Sequence, residues 1–255
     1  MTTGRAAGGD PPSFLDRSVP RTPPARLGVA VVHDLVTVIV NGEVLPGQTL
    51  PPEEKLAGHF GVSRTVIRES VKRIEEKGLI VVEPGRGTTV QPTTSWNILD
   101  PVVLSVMLEN DDSLGVLDDL AVIRGALEGA MSAETARRCT EEEIASVREA
   151  LATMEAAVDD PEVFPLADLD FHFLVMTLSG NQLASSITKI LFKRARESTR
   201  FSGHPTTDAF RTTLAEHRKV YEAIAAGHSA AAEAAMRAHI IDSWERRRLP
   251  TRRDG

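Results

Sequence analysis

Cysteine is almost missing from this 255-residue chain: Cys139 is its one thiol, so no disulfide can form within it. With no partner motif around it, Cys139 reads as a small buried hydrophobe. Long apolar runs are missing as well. The early stretch 27–40 is too short to span a bilayer and is interrupted by His33 and Asp34. Residues 1–24 lack the apolar core of a secretion signal and are rich in Gly, Pro, Ser and Thr, so a disordered tail is expected there. These absences point to a cytoplasmic protein with no membrane partner. A positive excess is missing too, since the net charge is −7. Divided at Pro92, the chain carries 11 Lys/Arg against 10 Asp/Glu before it and 18 against 26 after it. The acidity belongs to the second part. Any nucleic-acid contact made by the first part must therefore rest on local placement of a few cations, not on a broad field.

Turn and cap residues punctuate the first part closely. Leu27, Val31, Leu35 and Ile39 form a helical stripe that stops at Asn41-Gly42. A short helix over 52–61 carries Leu56 and Phe60 on its buried side, with Gly61 as the C-terminal turn. Ser63 is a favoured N-cap for a helix running to about Lys77. On that helix Ile67, Val71 and Ile74 share one face, while Arg64, Thr65, Arg68 and Lys72 cover a neighbouring arc. Two helices separated by Gly61-Val62 make a helix-turn-helix. Beyond Gly78 the β-branched run 79–82, the turn Pro84-Gly85-Arg86-Gly87 and the return 88–90 predict a two-stranded wing with Arg86 at its tip.

The segments Gly42-x-x-Leu45-Pro46-Gly47-x-x-Leu50-Pro51, Leu56-Ala57, Val62-Ser63-Arg64-Thr65-x-x-Arg68-Glu69 and Gly85-Arg86-Gly87-Thr88 closely resemble GntR-family regulators over residues 27–90. The resemblance implies a homodimer bound to a double-stranded operator with an inverted repeat. It places Arg64 and Arg68 on bases and phosphates of the major groove, Thr65 on the backbone, and Gly85 with Arg86 in the minor groove. Ser63 and Lys72 complete the expected DNA-facing set. Arginine suits this task because it can pair bidentately with guanine. One position departs from the pattern: Glu54 stands where many relatives have arginine.

The stretch Gln91-Pro92-Thr93-Thr94-Ser95 is small and polar and opens a linker, 93–100, after which no strand is expected. Helical spacing of apolar residues recurs over 101–108, 117–137, 141–158, 166–178, 183–199, 209–226 and 230–247. The breaks fall at Asn110-Asp111-Asp112-Ser113, Asp159-Asp160-Pro161, Ser179-Gly180-Asn181, Ser202-Gly203-His204-Pro205 and Gly227-His228-Ser229. The expected fold is mostly α: a winged helix-turn-helix over 25–92, then an all-helical antiparallel bundle over 101–249 and a short tail, 250–255.

Candidate chemistry in the bundle gathers on Asp168, His172, His217 and His239. Asp168 and His172 are four residues apart and so project from one helix face. His217 and His239 flank the turn at Gly227, so adjacent antiparallel helices can present them at similar depth. Three imidazoles and a carboxylate suit Zn²⁺, Ni²⁺ or Mn²⁺ with positions left for water or an acid. The alternative is a set of separate, hydrogen-bonded histidines. His33, His59, His204 and His228 have no partner pattern and read as surface or turn residues.

Asp168-x-x-Phe171-His172, Ser179-Gly180-Asn181, Glu216-His217 and Met236-x-x-His239 resemble the FCD domain, the helical effector domain of the FadR-like subgroup. The resemblance implies that Asp168, His172, His217 and His239 hold a divalent metal. It also implies that Arg124 and Asn181 face a small carboxylate effector. Arg124 could instead pair with Glu128 on the helix surface. The segment Trp96-Asn97-Ile98-Leu99-Asp100-Pro101 resembles a subgroup that senses sugar acids such as aldonates, although Trp96 and Leu99 could simply pack the two parts together. Two other readings stand beside an acid-responsive regulator. One is a regulator that answers to metal alone, and the other is a metal-dependent enzyme. No extra carboxylate has the spacing of a general base, and an enzyme would leave the winged helix without a role.

Overall fold

The computed structural model describes residues 24–111, 114–197 and 207–247. The expected tails, the turn at Ser202–Pro205 and part of the turn at Asn110–Ser113 lie outside the described residues. Three helices and a hairpin form the first unit: α1 (Pro24–Val40), α2 (Glu53–Phe60), α3 (Arg64–Glu76), β1 (Ile80–Glu83) and β2 (Gly87–Val90). α1 buries Val31, Val32, Leu35, Val36 and Ile39, whereas Leu27 is 39% exposed, so the apolar stripe begins one turn later than its periodicity suggests. α2 buries Leu56 but only half-buries Phe60. It ends at Gly61, whose φ of 62° is open to glycine without strain.

α3 starts at Ser63, whose Oγ accepts the Val66 N–H at 3.3 Å, and buries Ile67, Val71 and Ile74. β1 and β2 pair antiparallel from Ile80↔Val90 to Glu83↔Gly87. A third segment, unforeseen in the sequence, runs beside β2. Thr49 bridges Thr89, and Gly47 and Leu50 donate to Val90 and Thr88 carbonyls.

Seven further helices follow: α4 (Pro101–Asn110), α5 (Gly115–Arg138), α6 (Glu141–Ala156), α7 (Phe164–Leu178), α8 (Gln182–Glu197), α9 (Thr207–Ala225) and α10 (Ser229–Arg247). Local caps set several boundaries. Thr140 and Glu143 form a reciprocal capping box on α6. α5 is the hub, touching α4, α7, α8, α9 and α10. Its approach to α10 is close because Gly125 and Gly129 lie at the crossing, where a Cβ on Gly129 would sit 3.1 Å from the Glu233 carbonyl.

α4 belongs to two cores. Val103 and Val106 join the core of α1, α3 and the wing, while Leu104 and Leu108 pack with Leu120, Phe192 and Trp244 of the bundle. The residues before α4 are also anchored. A 3-10 turn, Thr93–Ser95, follows the wing, and Trp96 packs on the first core with its Nε1–H on the Gln91 carbonyl. The Asn97 N–H binds the Lys77 carbonyl at the end of α3. Leu99 is 46% exposed and belongs to neither core. Cys139 is half-buried at the C-cap of α5, not a core residue, because the helix ends there.

Candidate functional site

α7 carries Asp168 and His172, α9 carries His217 and α10 carries His239, and the packing of these three helices on α5 buries all four side chains together. The Nε2 atoms of His217 and His239 stand 3.2 Å and 3.3 Å from that of His172. Asp168 Oδ1 lies 3.4 Å from His217 Nε2 and 3.9 Å from His172 Nε2. Donors bonded at ~2.0–2.1 Å around a tetrahedral metal stand ~3.3 Å apart. Three of these distances match that spacing, and all four candidate ligand atoms lie within 4.8 Å of one another. Phe171 closes its inner side, edge-on to His217 at 4.7 Å.

The outer nitrogens settle which way the imidazoles point. His217 Nδ1 is 2.8 Å from the Thr213 carbonyl, and His239 Nδ1 is 2.9 Å from Glu216 Oε2. His172 Nδ1 is 2.7 Å from Glu128 Oε2, though off the ideal hydrogen-bond line. Each oxygen can only accept, so the proton belongs on Nδ1 and the Nε2 lone pair faces inward. Three lone pairs then meet one another and Asp168 Oδ1, a buried oxygen with no hydrogen-bond donor among the described residues. Without a cation that arrangement is repulsive, so the donor set fits a divalent metal.

Electrostatics act in the same direction. Burial alone would raise the Asp168 carboxyl, but His172, His217 and His239 beside it outweigh that and hold it at about 2. Burial pushes the His217 imidazole well down, and neighbouring His239 adds to the effect. His239 is lowered by burial as well, against the pull of Glu216. Near neutral pH the group therefore offers the Asp168 carboxylate and, in His217 and His239, neutral imidazoles, which is the protonation state that metal binding requires.

A cavity opens beside the cluster, lined by Arg124, Asp168, His172, Phe192, Trp244 and Arg247 among others. Arg124 is 6% exposed. Its Nε donates to Glu128 Oε1 at 2.7 Å, and its guanidinium lies 4.1 Å over the Phe192 ring. The Arg124–Glu128 pair thus exists, but it is buried and borders the cavity instead of lying on the helix surface. Asn181 is exposed, and its Oδ1 accepts the Ala184 N–H as the cap of α8. It does not line the cavity, and the turn geometry of Gly180-Asn181 accounts for it.

Sequence reading missed Glu128 as the partner of His172. It also missed Glu216 as the partner of His239, although Glu216 adjoins His217. Glu128 is distant in sequence from the histidine it meets, and no spacing signals that contact. Among the other histidines, His33 lies 3.8 Å from Glu109, while His59 and His228 are exposed.

On the first unit, Ser63, Arg64, Thr65, Arg68 and Lys72 are all exposed along α3 and its cap, and Gly85 and Arg86 are exposed at the wing tip. Gly85 has φ 78°, which a turn of this kind requires. Arg68 Nη2 is 3.3 Å from Glu53 Oε2, and Arg86 Nη1 is 3.8 Å from Glu83 Oε2. Both guanidiniums remain largely solvent-facing.

The chain matches the family model of bacterial regulatory proteins, gntR family, over residues 27–90 and the FCD domain over residues 119–242. It is similar to the galactonate operon transcriptional repressor of Escherichia coli strain K12, with 33% identity over 223 residues covering 85% of this chain and 94% of that protein. It is also similar to the HTH-type transcriptional regulator LutR of Bacillus subtilis strain 168, with 29% identity over 209 residues, 80% of this chain and 94% of that one. A solved structure described as Lar, which controls expression of the Listeria monocytogenes agr system, shares the fold. Its TM-score is 0.53 at 20% identity, over 90% of this chain and 99% of that chain.

Proposed function

Because this chain belongs to the GntR family of bacterial transcription regulators and carries an FCD domain, we propose that its operator binding answers to a small carboxylate held beside a buried divalent metal. The enzyme reading falls away, since the matched families and relatives are transcription regulators.

Residues 25–92 form the DNA-binding unit, 93–100 the connection and 101–249 the effector and dimerisation unit. Two copies place their α3 helices on the halves of an inverted repeat. Arg64 and Arg68 reach base edges and phosphates, Thr65, Ser63 and Lys72 hold the backbone, and Gly85 lets Arg86 enter the minor groove. Each bidentate arginine–guanine pair contributes about 1–3 kcal/mol of discrimination.

Asp168, His172, His217 and His239 hold Zn²⁺, Ni²⁺ or Mn²⁺, and the single observation carrying this is their convergence in one buried knot. When bound, the metal supplies a Lewis-acidic position for a carboxylate oxygen. Arg124 offers its Nη nitrogens to the same acid, since the hydrogen bond to Glu128 engages Nε and leaves the Nη edge for a carboxylate. A sugar acid is the favoured class, given the galactonate operon repressor among the relatives. The cavity borders Leu120, Phe192 and Trp244, which pack on α4. Acid binding can therefore bias α4 and, through it, the recognition helix. The coupling is reciprocal, commonly about 1–3 kcal/mol.

No described helix is long and apolar enough to cross a membrane, in keeping with a site of action in the cytoplasm. Metal analysis of the purified protein, followed by a thermal-shift screen of aldonates with and without chelator, tests the reading. Stabilisation by an acid that disappears with chelator is expected. A switch in operator binding caused by metal alone, with no acid shifting it further, would favour a regulator that answers to metal. Absence of metal uptake would end the proposal.

A further inference from the structure

Two of the three clustered histidines are backed by carboxylates, and each carboxylate is backed by an arginine. The two chains end in different places. Behind His239, Glu216 is held by Arg246 at 2.7 Å on each oxygen, and Arg246 does not border the cavity. Behind His172, Glu128 is 1% exposed, with Oε1 on Arg124 Nε and Oε2 beside His172 Nδ1, both at 2.7 Å. Arg124 and His172 both border the cavity. One carboxylate therefore spans the residue that faces an acid and a residue that faces the metal position.

We infer that Glu128 is a positioning residue that couples acid binding at Arg124 to metal binding at His172, so that each ligand strengthens the hold on the other. This rests on the site reading above. An anion settling on the Nη edge of Arg124 neutralises part of the guanidinium charge and weakens its claim on Glu128. The carboxylate then polarises the His172 Nδ1–H more strongly, and Nε2 becomes a better donor. The reverse path is equivalent: a cation on Nε2 makes Nδ1–H more acidic, draws Glu128 towards it and frees Arg124 for the incoming acid. Glutamate is needed because it offers two acceptor oxygens pointing opposite ways. Glutamine offers one, and its NH₂ group must face either Arg124 Nε–H or His172 Nδ1–H.

The test titrates Co²⁺ into the full-length, metal-stripped protein with and without saturating acetate or D-galactonate, following the visible absorption of the bound ion. Unaltered protein, Glu128→Gln, Glu216→Gln and Arg124→Lys are compared. Both glutamine variants are expected to lose about 10–100-fold in Co²⁺ affinity, since each disturbs one ligand histidine. Acid is expected to tighten Co²⁺ binding by about fivefold or more in unaltered protein and in Glu216→Gln. In Glu128→Gln that gain should shrink, and the acid-induced change in the absorption band with it. Arg124→Lys should lose the gain in the same way, because a single ammonium cannot serve Glu128 and the acid together, and it keeps the test open if Glu128→Gln does not fold. Equal acid gains in Glu128→Gln, Arg124→Lys and Glu216→Gln overturn the inference. So does a Co²⁺ affinity in unaltered protein that neither acid changes. Failure of unaltered protein to take up Co²⁺ overturns the metal reading itself, a result distinct from the other two.

Discussion

Replacing Asp100 with alanine should loosen the joint between the recognition helix and the bundle. Asp100 Oδ1 accepts the N–H groups of Val102 and Val103 at 2.9 Å and 3.3 Å, capping α4. Its Oδ2 accepts from Lys77 Nζ at 2.5 Å, and both side chains are about five-sixths buried. Losing the cap costs about 1 kcal/mol. Leaving the Lys77 ammonium without its anion in that setting costs about 1–3 kcal/mol more. The expected loss is thus about 2–4 kcal/mol, read as a lower urea midpoint for the transition that unfolds the winged helix. Asp100→Asn separates the two parts, since asparagine caps as well as aspartate but carries no charge for Lys77, and it should show only the second part of the loss. Because α4 shares side chains with both cores, Asp100→Ala should also blunt the change in operator affinity that an acid produces. A midpoint indistinguishable from unaltered protein would refute this account of the joint.

Three further outcomes follow from the same geometry. Arg68→Ala should weaken specific operator binding by about 1–3 kcal/mol and reduce its salt dependence, measured by fluorescence anisotropy across salt concentrations, while the bundle melts unchanged. His217→Ala should abolish stoichiometric metal and the chelator-sensitive part of thermal stability, so retained metal in a mass-spectrometric assay would contradict the ligand set. Metal-free protein should lose stability on acidification. His217 and His239 titrate lower folded than unfolded, so the unfolded state takes up more protons as pH falls below about 6.5. The Asp168 and Glu128 carboxyls, both held at about 2, add a second loss as pH falls below about 4.5. A melting temperature that stays flat from pH 7.5 to pH 5, in roughly that range, would remove the buried-histidine account.

The sequence by itself determined the winged helix and an all-helical bundle of six or seven helices, of which the described residues form seven. The signals there are short-range: the Ser63 cap, the Gly61 and Gly85 turns, and apolar residues repeating every turn in α3 act within a few residues of one another. Asp168 with His172 was legible for the same reason, whereas spacing left His217 and His239 open as separate histidines and only the resemblance to the FCD domain joined them to the set. Tertiary packing alone decided the rest. It joined α4 to both cores, left Leu27 and Leu99 exposed and brought Glu128 of α5 under His172 of α7. A helix sequence specifies which face is apolar but not which neighbour that face will meet. Contacts between residues forty or more positions apart depend on how helices cross, as at the α5–α10 crossing, where Gly125 and Gly129 lie against Glu233 and Arg237.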